Sequence, residues 1–314
     1  MIFTTTLSQM AFLFSLIIIG YVLAKLNLVP KNAEASISKL ETNVFVPALV
    51  LGTFMSNLTV EKLTKTGNIF LVSIIIEAIV IPLSLLLVRL VAKDKYTRNI
   101  YTYGLCFSNF GFMGNAVVKA LYPDIFLEYL LFTIVLWTAI YMWGVPMLLM
   151  DRENGVPTIS SRLKNFLNPM FIAMIIGMII GLTGITLPKF VDNAVTTLGD
   201  CMSPLAMILT GMTVARINIL DILKKWSIYT VTFIRLIAYP LVFVLVARLL
   251  NLDRTMALLA LCSLAMPLGL NTVVVPASLG KDTKVASGMA LISHLLSCIT
   301  IPLVFWLFDI IIPL

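Results

Sequence analysis

The octapeptide SNFGFMGN, residues 108–115, interrupts an apolar stretch that extends from about residue 99 to residue 121. Glycine destabilises a helix interior, so two glycines three positions apart favour local unwinding of the backbone. A second interruption, MPLGLN at residues 266–271, lies within the apolar stretch 255–279. Its proline has no backbone N–H and breaks the hydrogen bonding of a helix. The sequence therefore predicts two broken helices, each with asparagine at the break.

The composition places these broken helices in a membrane. The chain is 60% hydrophobic and only 12% charged, whereas soluble domains carry about 25% charged residues. A helix needs roughly 20 apolar residues to cross a hydrocarbon core. We therefore predict an all-α membrane protein with about ten transmembrane helices and no soluble domain. The predicted spans cover approximately residues 3–25, 33–57, 67–92, 99–121, 125–150, 167–187, 190–215, 226–250, 255–279 and 284–311.

The basic residues predict how the chain is oriented. If the N-terminus is outside, the 22 lysines and arginines divide into 15 on the cytoplasmic side, 6 on the other side and Arg235 within a span. Cytoplasmic loops of membrane proteins carry the excess of basic residues. This distribution favours a multi-pass protein of the cell membrane with both termini outside and the loop 151–166 in the cytoplasm. The net charge of +7 thus indicates topology and not a nucleic-acid partner.

The two halves of the chain repeat the same landmarks at an offset of 156 to 158 residues. The matched residues are Gly20 and Gly177, Pro47 and Pro204, Pro82 and Pro240, Asn115 and Asn271, and Pro146 and Pro302. Each half contains five spans, so the second half must enter the membrane in the opposite orientation. We therefore predict two inverted five-helix repeats, 1–150 and 167–314, joined by the cytoplasmic linker 151–166. Inverted repeats are common in secondary transporters.

The two breaks are the predicted substrate site. Unwound backbone at membrane depth must be buried in protein or line a watery cavity, and the N-terminal ends of half-helices attract anions. The alternative is that glycine and proline only allow neighbouring helices to pack closely. The candidate substrate-binding residues are Asn43, Ser108, Asn109, Gly111, Gly114, Asn115, Pro267, Gly269 and Asn271.

Ionisable residues within the spans are candidates for ion coupling, because charge at membrane depth is costly. Glu77 and Arg235 occupy related positions in the two halves, 158 residues apart. They are interpreted as a structural ion pair, or as a proton site and an anion ligand. Glu41 and Asp200 could carry a coupling proton or sodium ion, or only be solvated at helix ends. His294, the single histidine, suits a proton switch or a packed position in the core.

The sequence lacks the usual signs of an enzyme, a metal site or a cofactor site. The four cysteines have no paired spacing, which argues against a zinc site. No nucleotide-binding loop of the G-x-x-x-x-G-K-[ST] type is present, and His294 has no catalytic partner at a recognisable spacing. We therefore expect a protein that is not an enzyme and that requires no metal or other cofactor.

Three motifs resemble the auxin efflux carrier family over essentially the whole chain. Residues 109–116, NFGFMGNA, resemble the family pattern N-x-G-x-x-G-x-P, with Ala116 in place of the proline. Residues 266–274, MPLGLNTVV, resemble its M-P-x-x-x-N-x-x-V segment, and residues 43–49, NVFVPAL, are similar to its phenylalanine and Pro-Ala-Leu stretch. The short central loop resembles that of the bacterial members, which include malate and malonate permeases.

The resemblance implies an architecture similar to that of sodium/proton antiporters and bile-acid symporters. Spans 1, 2, 6 and 7 would form a scaffold, and the other spans would form a transport unit in which helices 4 and 9 cross at the substrate site. The resemblance also implies a homodimer and an elevator-type movement. The expected function is secondary transport of a small organic acid anion such as malate. The alternative is a cation/proton antiporter or a sodium-coupled symporter, a class that normally has carboxylates at the crossing.

Overall fold

The computed structural model describes residues 2–30, 32–65, 67–150, 167–216, 225–279 and 281–313, which are almost entirely helical. Within these ranges, extended pairing is confined to one antiparallel bridge between Ser108 and Leu268. The predicted central linker, residues 151–166, lies outside the described residues. The expectation of an all-helical protein is confirmed for the described part of the chain.

The described residues of the first half contain eight α-helices. They are α1 (Ile2–Lys25), α2 (Ala33–Leu40), α3 (Val46–Asn57), α4 (Val60–Lys65), α5 (Gly67–Val91), α6 (Lys95–Cys106), α7 (Asn115–Leu121) and α8 (Phe126–Ala139). Wider π-helical turns connect or extend these helices at Glu41–Phe45, Phe110–Gly114 and Ile140–Leu149, and a short 3₁₀ turn covers Pro123–Ile125.

The second half contains seven α-helices in the described residues. They are α9 (Pro169–Thr183), α10 (Lys189–Ala215), α11 (Trp226–Phe233), α12 (Tyr239–Leu249), α13 (Arg254–Leu264), α14 (Asn271–Ser278) and α15 (Lys284–Ile311). A π-helical turn, Ile234–Ala238, joins α11 to α12. The predicted fourth span thus consists of α6, a break and α7, and the predicted ninth span consists of α13, a break and α14.

The helices have the length and surface of membrane-spanning segments. Among the described residues, five helices are long and apolar enough to cross a membrane, and four shorter apolar helices accompany them. Large aliphatic side chains are exposed on their outer faces, including Ile79 at 59%, Leu90 at 81% and Leu249 at 79%. Contiguous apolar surface of this kind is uncommon on soluble monomers and is suited to lipid. The chain is a multi-pass membrane protein.

Glycine allows α1 and α10 to approach until their backbones touch. A Cβ atom at Gly20 would lie 2.0 Å from the carbonyl oxygen of Ile208, and one at Gly211 would lie 1.9 Å from that of Ile17. Small residues permit this close packing in membranes, where dispersion replaces the hydrophobic effect between helices. The helices α1, α3, α9 and α10 pack against one another as a group.

The remaining long helices form a second group around the two breaks. Helix α5 contacts α6 and α8, α13 contacts α8 and α12, and α15 contacts α11. The two groups meet where α1 lies against α15 and where α10 lies against the π turn that precedes α7. The breaks are therefore enclosed by protein and do not face lipid.

Candidate functional site

The two broken helices lie against each other at their unwound segments. The backbone N–H of Asn109 donates to the carbonyl oxygen of Pro267 at 2.7 Å, and that of Gly269 donates to the carbonyl oxygen of Phe107 at 3.2 Å. Unwound backbone cannot be solvated in a bilayer and needs such partners. Each break therefore supplies backbone hydrogen-bond partners for the other. Neither unwound segment could be paired in this way if the other helix were continuous.

Proline at position 267 explains a free carbonyl group at the crossing. In a continuous helix the N–H of residue 267 would bond to the carbonyl oxygen of Ser263, but proline has no N–H. The carbonyl oxygen of Ser263 instead accepts from the Ser108 hydroxyl at 2.8 Å and from Arg235 Nη2 at 2.9 Å. Ser108 therefore cross-links the broken helices through its side chain, while its neighbours Phe107 and Asn109 do so through their backbones.

Arg235 binds the ends of both N-terminal half-helices. Its Nη1 donates to the carbonyl oxygen of Leu105 in α6 at 2.9 Å, and its Nε donates to that of Met266, beyond α13, at 3.3 Å. The carbonyl of Leu105 is free because the N–H of Asn109 is turned to Pro267. A cation at helix C-termini is favourable because the helix dipoles place partial negative charge there. Arg235, a residue that is only 1% exposed, thus holds both half-helices in place.

This geometry corrects the interpretation of Arg235 and Glu77 as a direct ion pair. Among the described residues, no nitrogen of Arg235 lies within 4 Å of the Glu77 carboxylate. The Oε2 atom of Glu77 is buried and has no hydrogen-bond partner in the described part of the chain. The guanidinium binds backbone carbonyl groups instead of the Glu77 carboxylate. The spacing of residues in the sequence does not indicate which carbonyl groups are available.

His294 is the side-chain partner of Asn109. The Asn109 amide nitrogen lies 2.9 Å from His294 Nε2, while His294 Nδ1 lies 2.7 Å from the carbonyl oxygen of Ala290. A carbonyl only accepts, so Nδ1 carries the proton and Nε2 accepts from the amide. The arrangement therefore fits a neutral imidazole. Sequence reasoning missed this pair because the two residues are 185 positions apart.

The other two asparagines of the breaks have different surroundings. The amide of Asn271 donates to the hydroxyl of Tyr103 at 2.9 Å. Tyr103 is not among the residues predicted from the sequence. Asn115 is 4% exposed, and its side chain has no hydrogen-bond partner among the described residues. Asn115 therefore has an amide available for a ligand.

The glycines at the crossing have packing roles. A Cβ atom at Gly111 would lie 2.7 Å from the Trp137 ring, and one at Gly114 would lie 2.2 Å from the Tyr129 hydroxyl. Those aromatic side chains occupy the space that a larger residue would need. For these two positions the geometry favours the packing alternative over direct ligand contact.

The remaining candidates lie elsewhere in the fold. Glu41 and Asn43 belong to the π turn that packs against α2, α3, α9 and α10. Asn43 is exposed and donates to the carbonyl of Lys39 at 2.7 Å in its own helix. Glu41 is fully buried, and neither carboxylate oxygen has a hydrogen-bond partner in the described ranges. Asp200 forms an ion pair with Lys119 at 2.7 Å.

Comparison with known proteins supports the family resemblance. Residues 5–305 match the family described as "Membrane transport protein". No curated protein gives a significant match to the chain. The match covers nearly the full length, including both breaks and the residues that surround them. The chain therefore belongs to the membrane transport protein family, which is the family of the auxin efflux carriers.

Proposed function

We propose that this protein is a secondary transporter of small organic acid anions, such as malate, and that the anion binds where the two broken helices cross. The observation that carries the proposal is the reciprocal backbone pairing at Ser108 and Leu268. It brings together the N-terminal ends of two half-helices, which begin at Phe110 and Asn271. Such ends attract anions through free N–H groups and the helix dipole.

The side chains near the crossing are suited to a carboxylate. Asn109, Asn115 and Asn271 carry amide donors, and the Asn115 amide has no protein partner among the described residues. Arg235 adds a buried positive charge behind the crossing. A carboxylate needs donors and positive potential, so both properties favour an anion.

Two repeat-related contacts support an inverted-repeat architecture. Gly20 meets the backbone of Ile208, and Gly177 meets the backbone of Leu51. The two glycines are 157 positions apart, and so are Leu51 and Ile208. The same contact therefore occurs twice with the halves exchanged. This equivalence favours two five-helix units, 1–150 and 167–314.

An elevator-type movement fits the two packed groups of helices. In the proposal, α1, α3, α9 and α10 form a scaffold, and the group that contains the crossing moves as the transport unit. The proposal also includes a homodimer in the cell membrane, with both termini outside and the linker 151–166 in the cytoplasm. The distribution of basic residues supports this orientation.

A cation-coupled exchanger or symporter is the second candidate function. Glu41 and Glu77 favour it, since both are buried and retain carboxylate oxygens without hydrogen-bond partners in the described chain. A buried carboxylate of this kind takes up a proton or a cation. The crossing itself holds amides and backbone, so we rank this candidate second. Protonation of His294 is a further candidate coupling step, because a proton on Nε2 would break the hydrogen bond that this atom accepts from the Asn109 amide.

Transport in reconstituted liposomes tests the proposal. We expect Asn109→Ala, Asn115→Ala and Asn271→Ala each to reduce malate uptake about tenfold to a hundredfold, the range expected for one lost hydrogen bond to a charged ligand. Asn193→Ala is the matched control, because Asn193 is exposed on α10 away from the crossing. Normal uptake by all three variants would exclude the crossing as the substrate site. Cation flux without any organic acid would favour the second candidate.

A further inference from the structure

A cavity lined by both polar and apolar residues lies at the boundary between the two groups of helices. Its volume is about 230 Å³, and its walls come from α3, α4, α7, α10 and the segment that begins α8. The polar lining residues are Thr53, Ser56, Asn57, Lys62, Lys119, Asp124 and Thr196. No part of the substrate site described above lines this cavity.

The two lysines at the cavity differ in whether they have an acidic partner. Lys62 has no acidic partner within 4 Å among the described residues. Lys119 contacts Asp200 at 2.7 Å, and the two side chains are 42% and 60% exposed. Asp124, at the exposed edge, is the acidic residue of the lining. Exposed ion pairs contribute little to stability, so another carboxylate can replace Asp200 at Lys119.

The ion pair lies part-way along α10 and is open to its surroundings. Asp200 is eleven residues beyond the first residue of α10, which is about 16 Å along a helix. Its partner Lys119 lines the cavity, and both side chains are substantially exposed. A ligand in this recess can therefore reach the ammonium group of Lys119.

Helix α7 connects the recess to the crossing. Asn115 begins α7, and Lys119 follows four residues later. Side chains four apart lie on the same face of a helix, about 6 Å apart along its axis. Lys119 therefore lies one turn from the asparagine whose amide has no partner. An anion held at Lys119 is adjacent to the proposed substrate site.

We propose that this recess is an anion-binding site in which Lys62 and Lys119 hold a carboxylate, and that Asp200 competes with that carboxylate for Lys119. When the recess is empty, the Asp200 carboxylate forms the ion pair with the ammonium group of Lys119. A carboxylate ligand that enters the recess displaces Asp200 from Lys119. The same ligand also binds the ammonium group of Lys62. The inference rests on the proposed transport of organic anions and adds an access site to it.

Substitutions of Lys119 and Asp200 should change malate binding in opposite directions, and this difference tests whether Asp200 competes with the ligand. We expect Lys119→Gln to weaken malate binding about tenfold, as for one lost charge-assisted hydrogen bond. Asp200→Asn removes the competitor and should strengthen binding by about threefold to tenfold. Lys62→Gln should also weaken binding. Asp192→Asn is the control, because it removes one acidic charge from the same helix on an exposed residue.

The measurement is equilibrium binding of malate to the purified protein in lipid nanodiscs, which does not require transport. If the ion pair were only a structural contact, Lys119→Gln and Asp200→Asn would change binding in the same direction, and the proposal would be wrong. Absence of malate binding by the unchanged protein also overturns it. Asn109→Ala and Asn271→Ala test the crossing separately, so each site can fail alone. Circular dichroism and size-exclusion profiles verify that each variant is folded.

Discussion

The backbone N–H of Asn109 donates a 2.7 Å hydrogen bond to the carbonyl oxygen of Pro267. This bond joins two segments from opposite halves of the chain and turns the Asn109 N–H away from its own helix. The carbonyl of Leu105 is left free as a result and is taken by Arg235. A single displaced hydrogen bond thus links the break in α6–α7, the break in α13–α14 and the buried guanidinium.

Replacement of Arg235 should destabilise the crossing. Arg235→Met removes the arginine donor from the carbonyl groups of Leu105 and Met266, while that of Ser263 keeps the Ser108 hydroxyl. A buried carbonyl left without a partner costs roughly 1–3 kcal/mol. Arg235→Lys should recover only part of this loss, since an ammonium group cannot reach three separated carbonyls as a planar guanidinium does. Thermal unfolding in detergent measures the effect. We expect the unfolding temperature to be highest for the unchanged protein, intermediate for Arg235→Lys and lowest for Arg235→Met.

The same experiment distinguishes carbonyl binding from a Glu77 ion pair. If Arg235 chiefly neutralised Glu77, the double variant Arg235→Met with Glu77→Gln would regain most of the lost stability. We expect the double variant to remain closer to Arg235→Met, because the carbonyls of Leu105 and Met266 still lack the arginine donor. Recovery to the stability of the unchanged protein would contradict our interpretation.

His294 should tolerate glutamine better than leucine. The glutamine side-chain oxygen can accept from the Asn109 amide, whereas His294→Leu leaves that buried amide unpaired at a cost of about 1–3 kcal/mol. We therefore expect His294→Leu to lower the unfolding temperature and the rate of malate uptake, with His294→Gln between it and the unchanged protein. Equal stability of the leucine and glutamine variants would indicate that the hydrogen bond to Asn109 is unimportant.

A methyl group at Gly20 should disrupt the contact between α1 and α10. In Gly20→Ala the new Cβ would lie 2.0 Å from the backbone oxygen of Ile208, so the helices must separate at a cost of roughly 1–3 kcal/mol. Gly67→Ala is the matched control, because nothing lies within 4 Å of a Cβ atom there. A similar unfolding temperature for both variants would refute the close contact.

Asp94 should stabilise the start of α6 in a pH-dependent way. Its carboxylate accepts from the Thr97 backbone N–H at 2.8 Å, and this hydrogen bond lowers the pKa of Asp94. Because the folded-state pKa is lowered, the contribution is complete above the ordinary pKa of aspartate and is lost as the pH falls through the folded value. Asp94→Ala should cost about 0.5–2 kcal/mol near neutral pH.

Comparison across pH provides the control for Asp94. Stability of Asp94→Ala and of the unchanged protein, measured by thermal unfolding, should converge as the carboxylate becomes protonated. Asp94→Asn retains a capping oxygen, so it should lose less stability than the alanine variant at neutral pH. A constant difference between the unchanged protein and Asp94→Ala at every pH would show that the charge has no part in the cap.

Several features of the fold could be read directly from residue patterns. The apolar stretches predicted the membrane helices, and the segments 108–115 and 266–271 predicted the two interruptions. Both predictions depend on local chemistry, since glycine and proline act on the backbone within their own helix turn. The short helix α4 lies between the predicted spans 33–57 and 67–92 and was not predicted, because six residues are too few for a periodic pattern.

The partners of the buried polar groups could not be read in this way. Arg235 had an oppositely charged residue at the equivalent position of the other half, which suggested an ion pair. In the structure it binds backbone carbonyls, whose availability depends on how the two breaks are joined. Any residue type has a carbonyl group, so no side-chain pattern identifies these acceptors.

The sequence by itself determined that the chain crosses a membrane, where its two special helices break, and which family it belongs to, because hydrophobicity, backbone freedom and motif spacing are properties of short segments. Only the tertiary structure decided that Asn109 meets His294, that Arg235 binds both half-helices and that Asp200 pairs with Lys119. Those contacts join residues 28 to 185 positions apart. They exist because packing of the helices brings distant groups within hydrogen-bond distance in a medium where no water can replace them.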